Sequence, residues 1–221
     1  MKGPGRGVYN EAMEYYVLKL APLRGRMDED MARLSAQRRA RAERLRREEA
    51  RRQSVGAGLL LAFFYPGRET VLLERGKPAV PGAREFSLSH NGELAVIARA
   101  DVPVGADVQR LGRVSEALRR RVLTPEEQRR TAQLGEEEFF RLWTRKEAAL
   151  KCLGVGLDRP PASFDVCSGC VTLDGCELGL YTVRFGEYML SAAALGESAE
   201  FTPRELTLDE LLLDREAGSW N

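Results

Sequence analysis

Residues 140–156 read FRLWTRKEAALKCLGVG, and where this stretch puts its charges decides how the whole chain is read. At about 100° per residue, Phe139, Phe140, Leu142, Trp143, Ala149 and Leu150 fall in one broad apolar arc. The pattern predicts an amphipathic helix that faces a core and ends at Gly154. Lys146 and Glu147 lie inside that arc, and Lys151 stands at its edge, one turn beyond Glu147. Burying an unpaired charge is costly, so ionised groups on a core-facing stripe need partners: each other, a metal or a ligand.

A second stretch offers partners. VPVGADVQ at 102–109 reads as a short strand, in which alternate residues share a face. Asp107 and Gln109 then point one way, Ala106 and Val108 the other. With Glu147 they supply two carboxylates and one amide, hard oxygen donors suited to magnesium, which keeps several waters and shares its shell with substrate phosphates. Lys146 and Lys151 would stand beside such an anionic substrate. The plainer reading is an i,i+4 ion pair between Glu147 and Lys151, worth roughly 0.2–0.5 kcal/mol, with Lys146 extending along apolar surface to keep its charge in water.

Composition sets the frame around these two segments. The chain has 221 residues, 24.7 kDa and 43% hydrophobic content, enough for a substantial core in one large or two small domains. Its 34 Lys and Arg balance 33 Asp and Glu, so no global charge recruits nucleic acid or a membrane. The N-terminus MKGPGRGVYNEAMEYY has no apolar core of signal-peptide length and no apolar run approaches 18 residues, which predicts a cytoplasmic protein. Cys167 and Cys170 form a CxxC; with Cys176, and Cys152 or His90 as fourth ligand, a zinc site or redox pair is conceivable, but free thiols beside a Gly-rich turn are the simpler reading.

Along the chain, EYYVLKLA (14–21) reads as a strand and residues 28–61 as continuous helix that passes from strongly basic to apolar. The arginines there fit a solvated face, or a surface for phosphate or an acidic partner; a nucleic-acid module would call for interleaved aromatics, which residues 28–62 lack. The Gly and Pro of ERGKPAVPGAREF (74–86) exclude regular structure. FSLSH (86–90) and ELAVIARA (93–100) read as strands broken at Asn91-Gly92, and residues 113–131 as helix with Thr124 as an N-cap. SFDV (163–166), LYTVRF (180–185) and EYMLSAAA (187–194) read as strands. Helices and strands on each side of about residue 105 predict an α+β protein in two similar halves, 1–104 and 105–221.

Four blocks in order, GKP at 76–78, FSLSHNG at 86–92, VGADVQ at 104–109 and FFRLWTRKEAALKCLGVGL at 139–157, resemble the signature blocks of the 4′-phosphopantetheinyl transferases. EARRQSVGAGLLL at 49–61 also resembles the long, two-lobed type that activates peptide and polyketide synthases. The resemblance implies two α/β lobes related by pseudo-twofold symmetry in a monomer. It also implies coenzyme A in the cleft between them, an apo carrier-protein serine attacking the β-phosphate, magnesium dependence, and release of 3′,5′-ADP. It places magnesium on Asp107, Gln109 and Glu147, with Glu147 taking the serine proton. Lys146 and Lys151 match lysines near the pyrophosphate, Ser89 and His90 a phosphate-contacting pair, and Lys77 and Arg52 cations on the 3′-phosphate, with Pro78 beside Lys77. Glu127 resembles an acid near the metal water. Trp143 is expected to pack in the core and position Lys146 and Glu147. The competing reading is a degenerate member that binds coenzyme A or a carrier protein without transfer.

Overall fold

Polar punctuation, rather than apolar periodicity, sets where the helices stop. Ser35 caps a new helix by accepting from the Arg38 N–H, so the long helical stretch is three helices: α1 (Met27–Ala32), α2 (Ala36–Glu43) and α3 (Glu48–Phe64). Thr124 and Pro125 divide the next stretch in the same way, into α4 (Glu116–Val122) and α5 (Pro125–Leu134). The helix α6 (Glu136–Leu153) follows, and Gly154 ends it at φ 66°, the left-handed conformation that glycine adopts without strain.

The computed structural model describes residues 13–73, 76–196 and 201–213. Residues 1–12 of the N-terminal stretch and 74–75 of the predicted loop lie outside these. The strands are β1 (Glu14–Lys19), β2 (Val71–Leu72), β3 (Pro78–Ala79), β4 (Glu85–Asn91), β5 (Leu94–Ala100), β6 (Val104–Arg110), β7 (Cys170–Leu173), β8 (Cys176–Phe185), β9 (Tyr188–Leu195) and β10 (Arg204–Leu206), with α7 (Leu208–Leu213) last. They form two four-stranded sheets, β10-β1-β5-β4 and β6-β9-β8-β7, and a small β2-β3 hairpin, whose second strand lies inside the stretch 74–86 where Gly and Pro predict none.

The fold is mixed α+β, in four layers. Helix α3 covers the first sheet, packing Val55, Leu59 and Leu60 against Leu18, Ala95 and Ile97. Helix α6 covers the second, packing Phe139, Leu142 and Leu150 against Leu178, Met189 and Ala193. The opposite faces of the sheets meet in a third core of small and β-branched residues, among them Val17, Val96, Ala98, Ala106, Val108 and Ala192. Strand β5 is therefore covered on both faces, which explains the near-continuous apolar run LAVIA.

The second sheet starts with β6 at Val104, and the chain later returns to the first: β10 pairs in parallel with β1, and Leu206, Leu208 and Leu211 join the first core. The expected strand SFDV is not one; residues 161–163 form a 3-10 turn and the following main chain is held by side chains. Glu127 accepts from the Val166 N–H at 2.9 Å, Lys146 donates to the Phe164 carbonyl, and Arg145 donates to the Val166 carbonyl at 3.0 Å. Backbone groups satisfied in this way need no ladder.

Between β4 and β6 the two sheets are joined by side chains of alternate β4 residues. Ser87 Oγ accepts from the Ala106 N–H at 3.0 Å, Ser89 Oγ donates to Asp107 Oδ1 at 2.8 Å, and Asn91 Oδ1 accepts from the Arg110 N–H at 3.0 Å. On the other side of β6, α6 comes very close at Gly105. A Cβ there would lie 1.9 Å from the Ala148 carbonyl oxygen and 2.5 Å from the Cys152 nitrogen. Gly105 thus lets the helix backbone rest directly on the strand, two residues from Asp107.

Candidate active site

That close approach brings one turn of α6 over the polar end of β6. Lys151 Nζ lies 2.6 Å from Asp107 Oδ1 and 3.0 Å from Ser89 Oγ, so strand β4, strand β6 and helix α6 each contribute one group. Asp107 is buried and Lys151 about one-third exposed. Glu147, one turn earlier on α6, is half-buried. Burial foremost, and then the neighbouring Asp107 carboxylate, raise its pKa above the usual carboxylate value, while Lys151 and a hydrogen bond from Trp143 act against the shift. Trp143 stacks with Phe140 at 6.2 Å between ring centroids and meets Phe139 edge-on, which anchors this turn of the helix.

His90 is exposed at the end of β4. Its imidazole pKa is lowered, first by desolvation and then by the charges of Lys151, Arg38 and Arg41. These two arginines of α2 lie within electrostatic reach of His90, and sequence reasoning left them inside a generic basic run. Their i,i+3 spacing on one helical face was the available signal.

Successive turns of α6 each line a cleft. One, of about 230 Å³, is lined by Lys77, Pro78, Ser87, Leu88, Lys151 and Gly154. The other, of about 420 Å³, is lined by Leu118, Arg121, Val122, Trp143, Glu147 and Pro161. Lys151 faces the first and Glu147 the second.

Several expected site residues are engaged elsewhere. Lys146 does not face a substrate: it and Glu127 are both 0% exposed and form an ion pair at 2.8 Å. The Lys146 ammonium also donates to the Pro161 and Phe164 carbonyls and sits 4.6 Å from the Phe164 ring centroid. The charge inside the apolar arc is thus matched by an acid from α5, since burial of a lone ammonium would be prohibitive. Glu127 is correspondingly unable to serve a metal water. Besides Lys146 it accepts from the Thr124 and Val166 N–H groups, closing a capping box on α5.

Arg52 is buried and paired with Glu93 at 2.7 Å and Glu48 at 3.3 Å, which removes it as a 3′-phosphate cation. Lys77 lines the smaller cleft, but its ammonium donates to Glu85 at 3.2 Å and to the Val104 and Cys152 carbonyls at 3.3 and 3.4 Å. All three of its donors are used in contacts to β4, β6 and α6. Gln109 does share a face with Asp107, yet its Nε2 donates to Asp107 Oδ2 at 3.2 Å and its Oε1 accepts from Asn91 Nδ2 at 3.1 Å.

The cysteine alternative finds no four-ligand set. Among the described residues, the grouping of ligand atoms within 4.8 Å of one another is Glu127, Asp165 and Cys167, without Cys170, Cys176, Cys152 or His90. All four thiols are free, and burial pushes Cys152 up to about 12 and Cys167 to about 11, well away from reactive thiolates. No helix among the described residues is long and apolar enough to cross a membrane.

Comparison with known proteins places this geometry. Residues 103–180, which hold β6, α5 and α6, match the model of the 4′-phosphopantetheinyl transferase superfamily. The chain is 30% identical over 171 residues to 4′-phosphopantetheinyl transferase psf-1 of Bacillus pumilus, covering 69% of this chain and 73% of that protein. It is 30% identical over 156 residues to a 4′-phosphopantetheinyl transferase of Bacillus subtilis, covering 64% and 70%. The solved holo-[acyl-carrier-protein] synthase of Thermotoga maritima superimposes with a TM-score of 0.35 at 20% identity, over 43% of this chain and 64% of that one. The chain belongs to the 4′-phosphopantetheinyl transferase family.

Proposed function

We propose that this protein transfers the 4′-phosphopantetheine arm of coenzyme A to a serine of an apo acyl, peptidyl or aryl carrier protein and releases 3′,5′-ADP. The observation that carries the reading is the corner in which Lys151, on the wall of one cleft, pairs with Asp107, and Glu147, one turn away on the wall of another, feels the Asp107 charge. The smaller cleft, with Lys151 on its wall, takes the nucleotide side, and the larger one, with Glu147 on its wall, admits the acceptor serine.

The donor set fits magnesium. Two carboxylates stand close enough for Asp107 to raise the Glu147 pKa, and Lys151 supplies one positive charge against them. Asp107 and Glu147 would hold the ion, which when bound supplies charge against the pyrophosphate oxygens. Lys151, with Arg38 and Arg41 nearby, offsets phosphate charge, while His90, whose imidazole pKa is lowered by desolvation foremost and then by Lys151 and these arginines, donates a hydrogen bond. Glu147, with its raised pKa, accepts the serine proton as the serine oxygen bonds to the β-phosphorus. The bond from that phosphorus to the ADP oxygen breaks, and the electron pair leaves with 3′,5′-ADP.

We read the two helix-backed sheets as lobes related by pseudo-twofold symmetry, with main bodies in 1–104 and 105–221, acting as a cytoplasmic monomer on natural-product carrier proteins. The experiment is to incubate the protein with coenzyme A, magnesium and an apo carrier protein and to weigh the carrier. A carrier heavier by one phosphopantetheine arm is expected; a carrier of unchanged mass with every competent partner offered overturns the reading.

A further inference from the structure

The orientation of the Gln109 amide is fixed from a distance. The Arg110 backbone N–H can only donate, and it points at Asn91 at 3.0 Å, so the Asn91 atom facing it is Oδ1. The Asn91 NH2 is thereby turned to Gln109 at 3.1 Å and must meet Oε1. The Gln109 NH2 is left for Asp107 Oδ2 at 3.2 Å, an ionised oxygen that only accepts. Reversing either amide sets donor against donor at one end of this relay and acceptor against acceptor at the other, so the network itself assigns both orientations.

We propose that Asn91 is a positioning residue, which sets Gln109 as a hydrogen-bond donor to Asp107 and withholds its oxygen from any cation at the corner. Both Asp107 oxygens are then held from opposite sides, Oδ1 by Ser89 and Lys151 and Oδ2 by Gln109, which fixes the carboxylate plane. The anionic groups of the corner are two, Asp107 and Glu147. The inference rests on the transfer reading only where it treats the corner as a metal site; the relay itself belongs to the metal-free protein.

The test has two arms. In the first, the side-chain NH2 resonances of Gln109, assigned by their loss in Gln109→Ala, are followed in metal-free protein. Their marked displacement in both Asp107→Asn and Asn91→Ala is expected; indifference to either substitution overturns the relay. In the second, manganese binding is measured by electron paramagnetic resonance with coenzyme A present. Groups that orient a metal ligand typically contribute about 10-fold or more to affinity, so Asn91→Ala should weaken binding by about 10-fold. A merely structural turn residue would lower thermal stability and leave manganese affinity unchanged, which also overturns the proposal. Should Asn91→Ala fail to fold, Asn91→Asp keeps the acceptor for Arg110 and replaces the donor to Gln109 by an anionic acceptor, which draws the Gln109 NH2 to itself; that NH2 should then cease to follow Asp107, and its continuing to do so refutes the relay. Wild-type protein that takes up no manganese removes the metal reading of the corner, and the resonance arm alone then decides on Asn91.

Discussion

Replacing Gly105 by alanine tests the contact that assembles the corner. The added Cβ would meet the Ala148 carbonyl oxygen at 1.9 Å, where real Cβ contacts essentially never fall below 3.0 Å, so helix and strand must part by at least about 1.1 Å. Both neighbours are main-chain atoms, and no rotamer change relieves the clash. Overpacking of a core typically costs about 1–3 kcal/mol, and a backbone contact belongs at the upper end. For a chain of this size that lowers the melting temperature by about 6–12 °C. The same displacement moves Glu147 and Lys151 relative to Asp107, and a misplacement of about 1 Å at reacting groups costs on the order of 100-fold in rate. The measurements are a thermal melt and the initial rate of carrier modification. A Gly105→Ala protein that melts with wild type and turns over at the wild-type rate would show that α6 does not depend on this approach.

Three other outcomes are expected. Arg38→Ala with Arg41→Ala should raise the Michaelis constant for coenzyme A and narrow its advantage over dephospho-coenzyme A, whereas Lys77→Ala should leave that advantage in place; the reverse pattern returns the 3′-phosphate to Lys77. Lys146→Met should destabilise the fold by about 3–5 kcal/mol through the abandoned Glu127 charge, and Lys146→Met with Glu127→Gln, which removes the charge but keeps an acceptor oxygen for the backbone, should recover part of it; denaturant melts that show no recovery refute the charge as the cause. Because burial and Asp107 raise the Glu147 pKa, the acid limb of the kcat/KM profile should lie above the usual carboxylate range and move down in the residual activity of Asp107→Asn. The sign for stability follows: a raised native pKa favours the protonated native state, so the ligand-free fold loses stability as pH rises through that value, and melts recorded across pH check it.

How far the sequence reached depended on whether a partner sat on the same element. The period of two on β6 aligned Asp107 with Gln109, and the i,i+4 spacing on α6 aligned Glu147 with Lys151; both are local geometry, and the fold brings these four residues together. Lys146 failed the same treatment because its counter-charge comes from another helix, 19 positions upstream, and a helical wheel carries no information about α5. Arg52 and Lys77 were expected on the 3′-phosphate because their blocks resemble the family's nucleotide-binding parts, yet they pair with Glu93 and Glu85. Arg38 and Arg41 were hidden by their neighbours, since a run of arginines does not announce which of them is felt at His90. The segment SFDV had strand-like composition, but long side chains supplied its hydrogen bonds and overrode the propensity.

The return of the chain to its first sheet bears on how the protein is made. Leu18 of β1 stands beside Leu206 of β10, and Leu206, Leu208 and Leu211 complete a core that α3 and β5 have already begun. Domains generally fold in the order of synthesis, the N-terminal one first. Here the N-terminal sheet keeps one flank of β1 unpaired until residue 206 has left the ribosome, by which time every strand of the second sheet is available. The opening lobe is therefore the last to be finished, and a nascent chain interrupted before β10 carries an exposed strand edge and an open apolar seam for chaperones or proteases to find.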